Sequence, residues 1–450
     1  MASGDEHRGE GDYRDAATMG ALRQMHAGYA WSDVASLEPA AAAGPAVRVR
    51  GAAQAVRAVG RRVAFLVLRQ GSATVQCVVA VGSGGMARFM AGLSRESVVD
   101  VAGVVSLPRE PVRGTTQQLV EIQVEKLHCI SRAVPNLPIS VDDAARSEDD
   151  VARAKAAGKQ LVHVGQDKRL DYRVIDLRTA ATQAIFRVQC QVENIFRQVL
   201  LSEGFVGIHT PKLIGGSSEG GAAVFKLDYN GQPACLAQSP QLHKQMAVCG
   251  GFERVFEIGP EGSDTHRHLC KFVGLDVEMA LRDHYSKYLE TTLRLDYDEG
   301  IRMLQEAGVH VKPMGDLNTE AEKKLGELVR DKYDMEFYML CRYPSAVRPF
   351  YTMPCPDDPC YSCSFDVFVR GEEIISGAQR VHDPELLAAQ AEARGMDVRT
   401  IAAYVDSFRY GAPPHGGFGV GLERVVMLFC GLGNIRKTSL FPRDPRRLAP

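Results

Sequence analysis

FERVFEIGPEGSDTHRHLCKFVGLDVEM, residues 252–279, is the stretch on which the fold turns. VFEI at 255–258 and FVGLDVEM at 272–279 are rich in β-forming residues, and the second alternates polar and apolar side chains over its last positions. Between them Thr265, His266, Arg267 and His268 form a polar, cationic cluster suited to docking an anion. The stretch reads as two β-strands joined by a polar turn.

Working outward, Ile185, Val188, Val192, Ile195, Phe196, Val199 and Leu200 recur at three- and four-residue spacing, which predicts an amphipathic helix ending before Gly204. Residues 205–279 alternate strands and turns. Residues 296–332 read as helical, with Thr319 and Glu322 placed as a capping box. Strands return at 347–380, and a last helix spans 421–429. Towards the N-terminus, VAFLVL (63–68), TVQCVV (74–79), residues 98–105 and VEIQV (120–124) are short, evenly spaced strands. Such a texture suits a small β-barrel, of which the OB-fold is one kind. The expected class is therefore α+β: an N-terminal OB-fold barrel, then an antiparallel sheet flanked by helices. The expected divisions are a polar extension at 1–44, disordered or weakly helical, a barrel at 45–139, a charged hinge at 140–180 and a second domain at 181–450.

Composition excludes several classes. The 450 residues carry 53 Lys and Arg against 55 Asp and Glu, a net charge of −2, with 45% hydrophobic residues, an ordinary globular profile. That balance argues against non-specific polyanion binding but leaves room for a local basic face. No apolar run approaches membrane-span length, so no membrane partner is expected. The charged N-terminus lacks the pattern of a targeting leader, which makes the cytoplasm the expected location. The 11 cysteines are odd in number and scattered, as in a reducing compartment. Cys355, Cys360 and Cys363 read as free thiols in preference to a zinc site.

Four further segments carry residues with chemical potential. GGSSEGGAAVF (215–225) is a glycine-rich loop around Glu219. QSPQLHKQM (238–246) sets Gln241 and Lys244 three apart; a cation suits a substrate carboxylate, although alone Lys244 reads equally as a solvated surface lysine. SFDVFVRGEEIISGAQRVHD (364–383) holds Asp366 and Glu373, hard oxygen ligands of the kind Mg²⁺ prefers. It also holds Ser376 and Arg380; Glu372 and Glu373 alone read as a solvated acidic pair. In GFGVGLERVVM (417–427), glycines permit close backbone approach to a ligand ahead of Arg424.

Taken in order, these segments resemble the class II aminoacyl-tRNA synthetases, and in wording the eukaryotic-type aspartyl-tRNA synthetases, over about residues 45–450. FVGIHTPKLI (205–214) is similar to motif 1, whose Pro211 position lies at the family's dimer interface. Residues 252–279 are similar to motif 2 and 417–427 to motif 3. The resemblance implies a ligase that activates L-aspartate with ATP and Mg²⁺ and transfers it to tRNA(Asp), as a homodimer; the alternative is a silent relative that binds tRNA through its barrel. It implies that Ser218, Glu219, Gln241, Lys244, Ser376 and Arg380 hold aspartate. It implies ATP contacts from Glu261, Arg267, His268, Leu269, Glu373, Gly421, Leu422, Glu423 and Arg424. Asp366 and Glu373 are implied as metal ligands, with Arg267, Glu373 and Arg424 catalytic. Arg57, Phe65, Gln76 and Glu121 are the implied anticodon contacts.

The chain departs from the family at several points. Family sequences continue Val-Phe-Arg-Ala after the proline matching Pro260, whereas Glu261 follows it here. That arginine, a clamp for phosphate and carboxylate, is absent. The region 284–290 is short, His243 replaces a tyrosine, and Gly433 replaces an asparagine.

Overall fold

The structure is a computed structural model that describes residues 13–15, 28–39, 44–59, 63–80, 84–215, 224–262, 269–281 and 292–449. It divides into two compact units, Met1–Gln183 and Ala184–Pro450.

The first unit is a barrel of β3 (Ala46–Val59), β4 (Val63–Gln70), β5 (Ala73–Val79), β6 (Val98–Ser106) and β7 (Glu121–Ser131). It runs β7-β5-β4-β3, and β6 pairs with both β3 and β7 to close it. Alternation dictates the filling: Ala64, Leu66 and Leu68 point inward at 0% exposure while Phe65 and Val67 face outward. Val49, Val75, Cys77, Val101, Ile122 and Leu127 complete a fully buried core. Each large side chain there contributes about 1.5–3 kcal/mol. Closure also removes the exposed sheet edges that an open β-structure must guard.

The N-terminal segment differs from the disordered or weakly helical extension expected for 1–44. Its described parts add strands to this barrel: β1 (Tyr13–Asp15) runs parallel to β7 and β2 (Ala30–Trp31) parallel to β3. Few residues signal so short a strand, and its stability comes from the barrel strand it pairs with. The expected hinge holds four short helices between Val141 and Asp176.

The second unit is built on an eight-stranded sheet of order β14-β15-β16-β17-β18-β13-β12-β8. Its strands are β8 (Val206–Gly207), β12 (Arg254–Gly262), β13 (Lys271–Ala280), β14 (Arg294–Asp296), β15 (Phe337–Cys341), β16 (Ser364–Val369), β17 (Glu372–Gln379) and β18 (His415–Gly421). A small sheet of β9 (Leu213–Ile214), β10 (Lys226–Tyr229) and β11 (Gln232–Leu236) accompanies it. As expected from 252–279, β12 and β13 pair antiparallel, with Arg254 opposite Met279 and Gly262 opposite Lys271. The helix α1 (Ala180–Ser202) lays Ile185, Val188 and Val192 against Leu275, Leu422 and Val426, so helices cover one sheet face.

One sequence expectation needs correction. Residues 296–332 form two helices, Tyr297–Glu306 and Thr319–Tyr333, not one stretch. Gly308, at φ +79, ends the first in the left-handed conformation that favours glycine. The cap of the second is Asn318, whose side chain accepts a hydrogen bond from the Ala321 N–H at 2.8 Å, so Thr319 is already helical.

Candidate active site

The cleft rises from the sheet face opposite α1, and strand register decides what lines it. Glu257 stands opposite Asp276, Asp276 opposite Gly419, Gly419 opposite Ser376, and Ser376 opposite Asp366. Because alternate residues share a face, Gly274, Asp276 and Glu278 of β13 all point into the same space. A cavity of about 430 Å³ lies over this row, walled among others by Gln241, Arg348, Glu373, Arg380 and Arg424.

At one end sits a buried charge network. Lys244, on the helix Gln241–Cys249, has 0% of its side chain exposed and donates to Asp276 at 2.6 Å, with Glu278 at 3.9 Å. It is no solvated surface lysine. Arg380 donates to Glu278 at 3.0 Å and to the Gln241 amide oxygen at 3.2 Å, while the Gln241 amide donates to Glu278 at 2.9 Å. Burial pushes the Asp276 and Glu278 carboxyls up, but Lys244 and Arg380 outweigh it and hold both below the usual carboxylate range. Gly417 makes this packing possible, because a Cβ there would lie 2.5 Å from the Glu278 carboxylate.

The other end is built around β16 and β17. Arg348 donates to Asp366 at 2.6 Å and to Ser376 at 3.3 Å, and its guanidinium lies 3.7 Å from the Tyr343 ring centre. Asp366 Oδ1 is buried and left without a hydrogen bond. Burial, reinforced by the Asp366 charge, pushes the Glu373 carboxyl up to about 8. A carboxylate pair that resists ionising together, one oxygen of it unsatisfied, fits a cation. Among the described residues no three or more His, Cys, Asp or Glu gather as a metal cage. Arg424 donates to the Glu373 carbonyl at 2.6 Å, which fixes the guanidinium over the cleft from the first turn of Leu422–Phe429.

The structure thus brings together Gln241, Lys244, Ser376, Arg380, Asp366, Glu373 and Arg424, with Glu261, Leu269, Gly421 and Glu423 on the cleft wall. Leu422 stands apart: its side chain is 0% exposed in the core between sheet and helix, so only its backbone is available to a ligand. Ser218, Glu219, Arg267 and His268 lie outside the described residues. Sequence reasoning missed Asp276, Glu278 and Arg348. The first two had a signal, acids at every second position of an otherwise apolar strand; Arg348, in YPSAVRPF, had none.

On the barrel, Arg57 pairs with Phe65, Phe65 with Val78, Val67 with Gln76, and Gln76 with Glu121. All four expected anticodon residues therefore face outward from adjoining strands. The Gln76 amide donates to Glu121 at 3.0 Å.

Comparisons with known proteins agree with this architecture. Residues 165–445 match the family described as tRNA synthetases class II (D, K and N), and residues 47–130 match the OB-fold nucleic acid binding domain. The chain is 59% identical to Aspartate--tRNA ligase 1, cytoplasmic, of Arabidopsis thaliana, over 90% of this chain and 84% of that protein. It is 50% identical to the cytoplasmic aspartate--tRNA ligase of Homo sapiens, over 90% and 88%. Aspartyl tRNA synthetase from Entamoeba histolytica superposes with a TM-score of 0.84 at 38% identity, covering 100% of this chain and 98% of that one. Asparaginyl-tRNA synthetase from Pyrococcus horikoshii, complexed with asparaginyl-adenylate, gives 0.76 at 31% identity, over 92% and 100%. A cleft with two buried cations at one end and paired carboxylates at the other, on this sheet and in a chain that also holds an OB-fold barrel, agrees with those matches: the chain belongs to the class II tRNA synthetases, among the aspartate–tRNA ligases.

Proposed function

We propose that the two ends of the cleft divide the work of aspartylation. As an aspartate–tRNA ligase the chain joins L-aspartate to tRNA(Asp) at the expense of ATP; the assignment of roles to residues is our reading. Lys244 and Arg380 hold the side-chain carboxylate of aspartate, a lysine as a compact charge and an arginine as a planar fork. Gln241, Ser376, Ser218 and Glu219 complete the amino-acid pocket. The observation that carries this reading is the burial of both cations in one hydrogen-bonded network with Gln241 and Glu278.

Asp366 and Glu373 would hold Mg²⁺, which supplies charge neutralisation at the ATP phosphates. Arg424 and Arg267 neutralise phosphate charge, while Leu269, His268, Gly421, the Leu422 backbone and Glu423 bound the nucleotide. Such positioning and electrostatic stabilisation are what an in-line attack of carboxylate on phosphate requires. On the barrel, Phe65 stacks an anticodon base, Gln76 and Glu121 read base edges, and Arg57 takes a phosphate.

We further propose a homodimer. Ile195, Val199 and Leu201 of α1, with Val206, are 45–57% exposed, an apolar surface that a second copy would cover. Relatives named cytoplasmic support a cytoplasmic location; no helix among the described residues is long and apolar enough to cross a membrane. Steady-state kinetics of Lys244→Ala test the pocket: the KM for aspartate rises about 100-fold or more, the cost of stranding buried carboxylates, while ATP affinity stays within about threefold. Equal loss of both would contradict the division.

A further inference from the structure

Arg348 reaches the cleft from a loop, and its neighbours in the chain and in space fix its guanidinium. Pro349 restricts the residue before it to extended backbone, and Arg348 takes that conformation at φ −105, ψ 154. The guanidinium rests 3.7 Å from the Tyr343 ring centre and donates through one nitrogen to Asp366 at 2.6 Å. Only 14% of the side chain is exposed. A second nitrogen donates to the Ser376 hydroxyl at 3.3 Å. Asp366 and Ser376 stand opposite each other on β16 and β17, so one planar fork spans the pair.

The direction of the bond to Ser376 decides what that hydroxyl can do. A hydroxyl has one hydrogen to give and two lone pairs with which to accept. A guanidinium can only donate, so the Ser376 oxygen accepts and its hydrogen turns elsewhere. Among the described residues that hydroxyl donates to no partner. The next residue across the sheet is Gly419, which has no side chain, and beyond it stands Asp276 with Lys244. The unspent hydrogen therefore borders open floor that leads to the amino-acid end.

We propose that Arg348 is a positioning residue for the amino acid: anchored on Tyr343 and Asp366, it fixes the Ser376 hydroxyl so that its hydrogen is given to a carboxylate of bound aspartate. The inference rests on the reading of Ser376 as part of the amino-acid pocket. Arg348 acts through Ser376, with no covalent bond made or broken.

A double-mutant cycle tests it, read by calorimetric titration of the full chain with L-aspartate in the wild type, Ser376→Ala, Arg348→Lys and the double variant. Lysine keeps a charge for Asp366 but has no second arm for Ser376. Ser376→Ala weakens aspartate about tenfold, the worth of a hydrogen bond to a charged group, and Arg348→Lys weakens it about threefold or more. In the Ser376→Ala background Arg348→Lys changes the affinity by less than about twofold, because the group it acts through is gone. A merely structural role would lower affinity in both backgrounds, so losses that multiply overturn the proposal. Unchanged affinity in Arg348→Lys beside a loss in Ser376→Ala also overturns it, with the reading of Ser376 intact. Unchanged affinity in Ser376→Ala overturns that reading, and the proposal with it. Should the lysine variant melt well below the wild type, Arg348→Gln replaces it in the cycle: its lost charge acts alike in both backgrounds and cancels, and the same outcomes decide.

Discussion

The barrel and the catalytic sheet present two working faces made by the same rule and filled in opposite ways. On the barrel, Arg57 is exposed, Phe65, Gln76 and Glu121 are half-buried, and the Gln76 amide donates a hydrogen bond to Glu121. In the cleft, Lys244, Glu278 and Arg380 are withdrawn from water and locked to one another. An open face serves a large ligand that brings its own bases to stack. A small charged ligand needs a site whose charges are already oriented and desolvated, so that little reorganisation accompanies binding. The difference predicts modest, separable losses on the barrel and steep, coupled losses in the cleft.

Arg380→Ala tests the steep side. It leaves Glu278 buried beside a single distant cation, a change that costs about 3–5 kcal/mol for a broken buried pair. Aspartate-dependent activation, followed by pyrophosphate exchange, falls by about 10²–10³-fold or more. A loss under tenfold would place Arg380 outside the substrate's reach. Phe65→Ala tests the open side: tRNA(Asp) binding weakens by about 1–3 kcal/mol, the worth of one stacked base, with amino-acid activation unaltered. If activation falls as well, the two faces are not separable.

The smallest effect is on stability against acid. Asp276 and Glu278 titrate below their ordinary values of 3.8 and 4.5 because Lys244 and Arg380 outweigh burial. A depressed carboxyl stabilises the folded chain above the unfolded value and loses that contribution as pH falls through the folded one. The melting temperature of the second unit therefore declines below about pH 4.5. Glu278→Gln flattens that decline; an unchanged slope would show that this network is not what acid dismantles.

Much of this was legible before any coordinates. Leu66 and Leu68 against Phe65 and Val67 give the barrel its faces by alternation alone, and 252–279 gives the β12–β13 pair. Lys244, Glu373, Arg380 and Arg424 were singled out by the resemblance of their segments to the family's motifs. What alternation cannot supply is partnership across strands. Arg348 meets Asp366 only because β16 lies where the sheet puts it, and Lys244 reads as a surface residue until β13 places Asp276 beneath it. The strand β1 and the cap at Asn318 were missed because tertiary pairing and a single side-chain bond decide them, over too few residues to leave a pattern.

The most direct test is ATP–pyrophosphate exchange by the wild-type chain with L-aspartate or L-asparagine as sole amino acid. Exchange with aspartate is expected well above the level reached with asparagine, and at background in Arg380→Ala. No exchange with aspartate, or equal rates with the two amino acids, would contradict it.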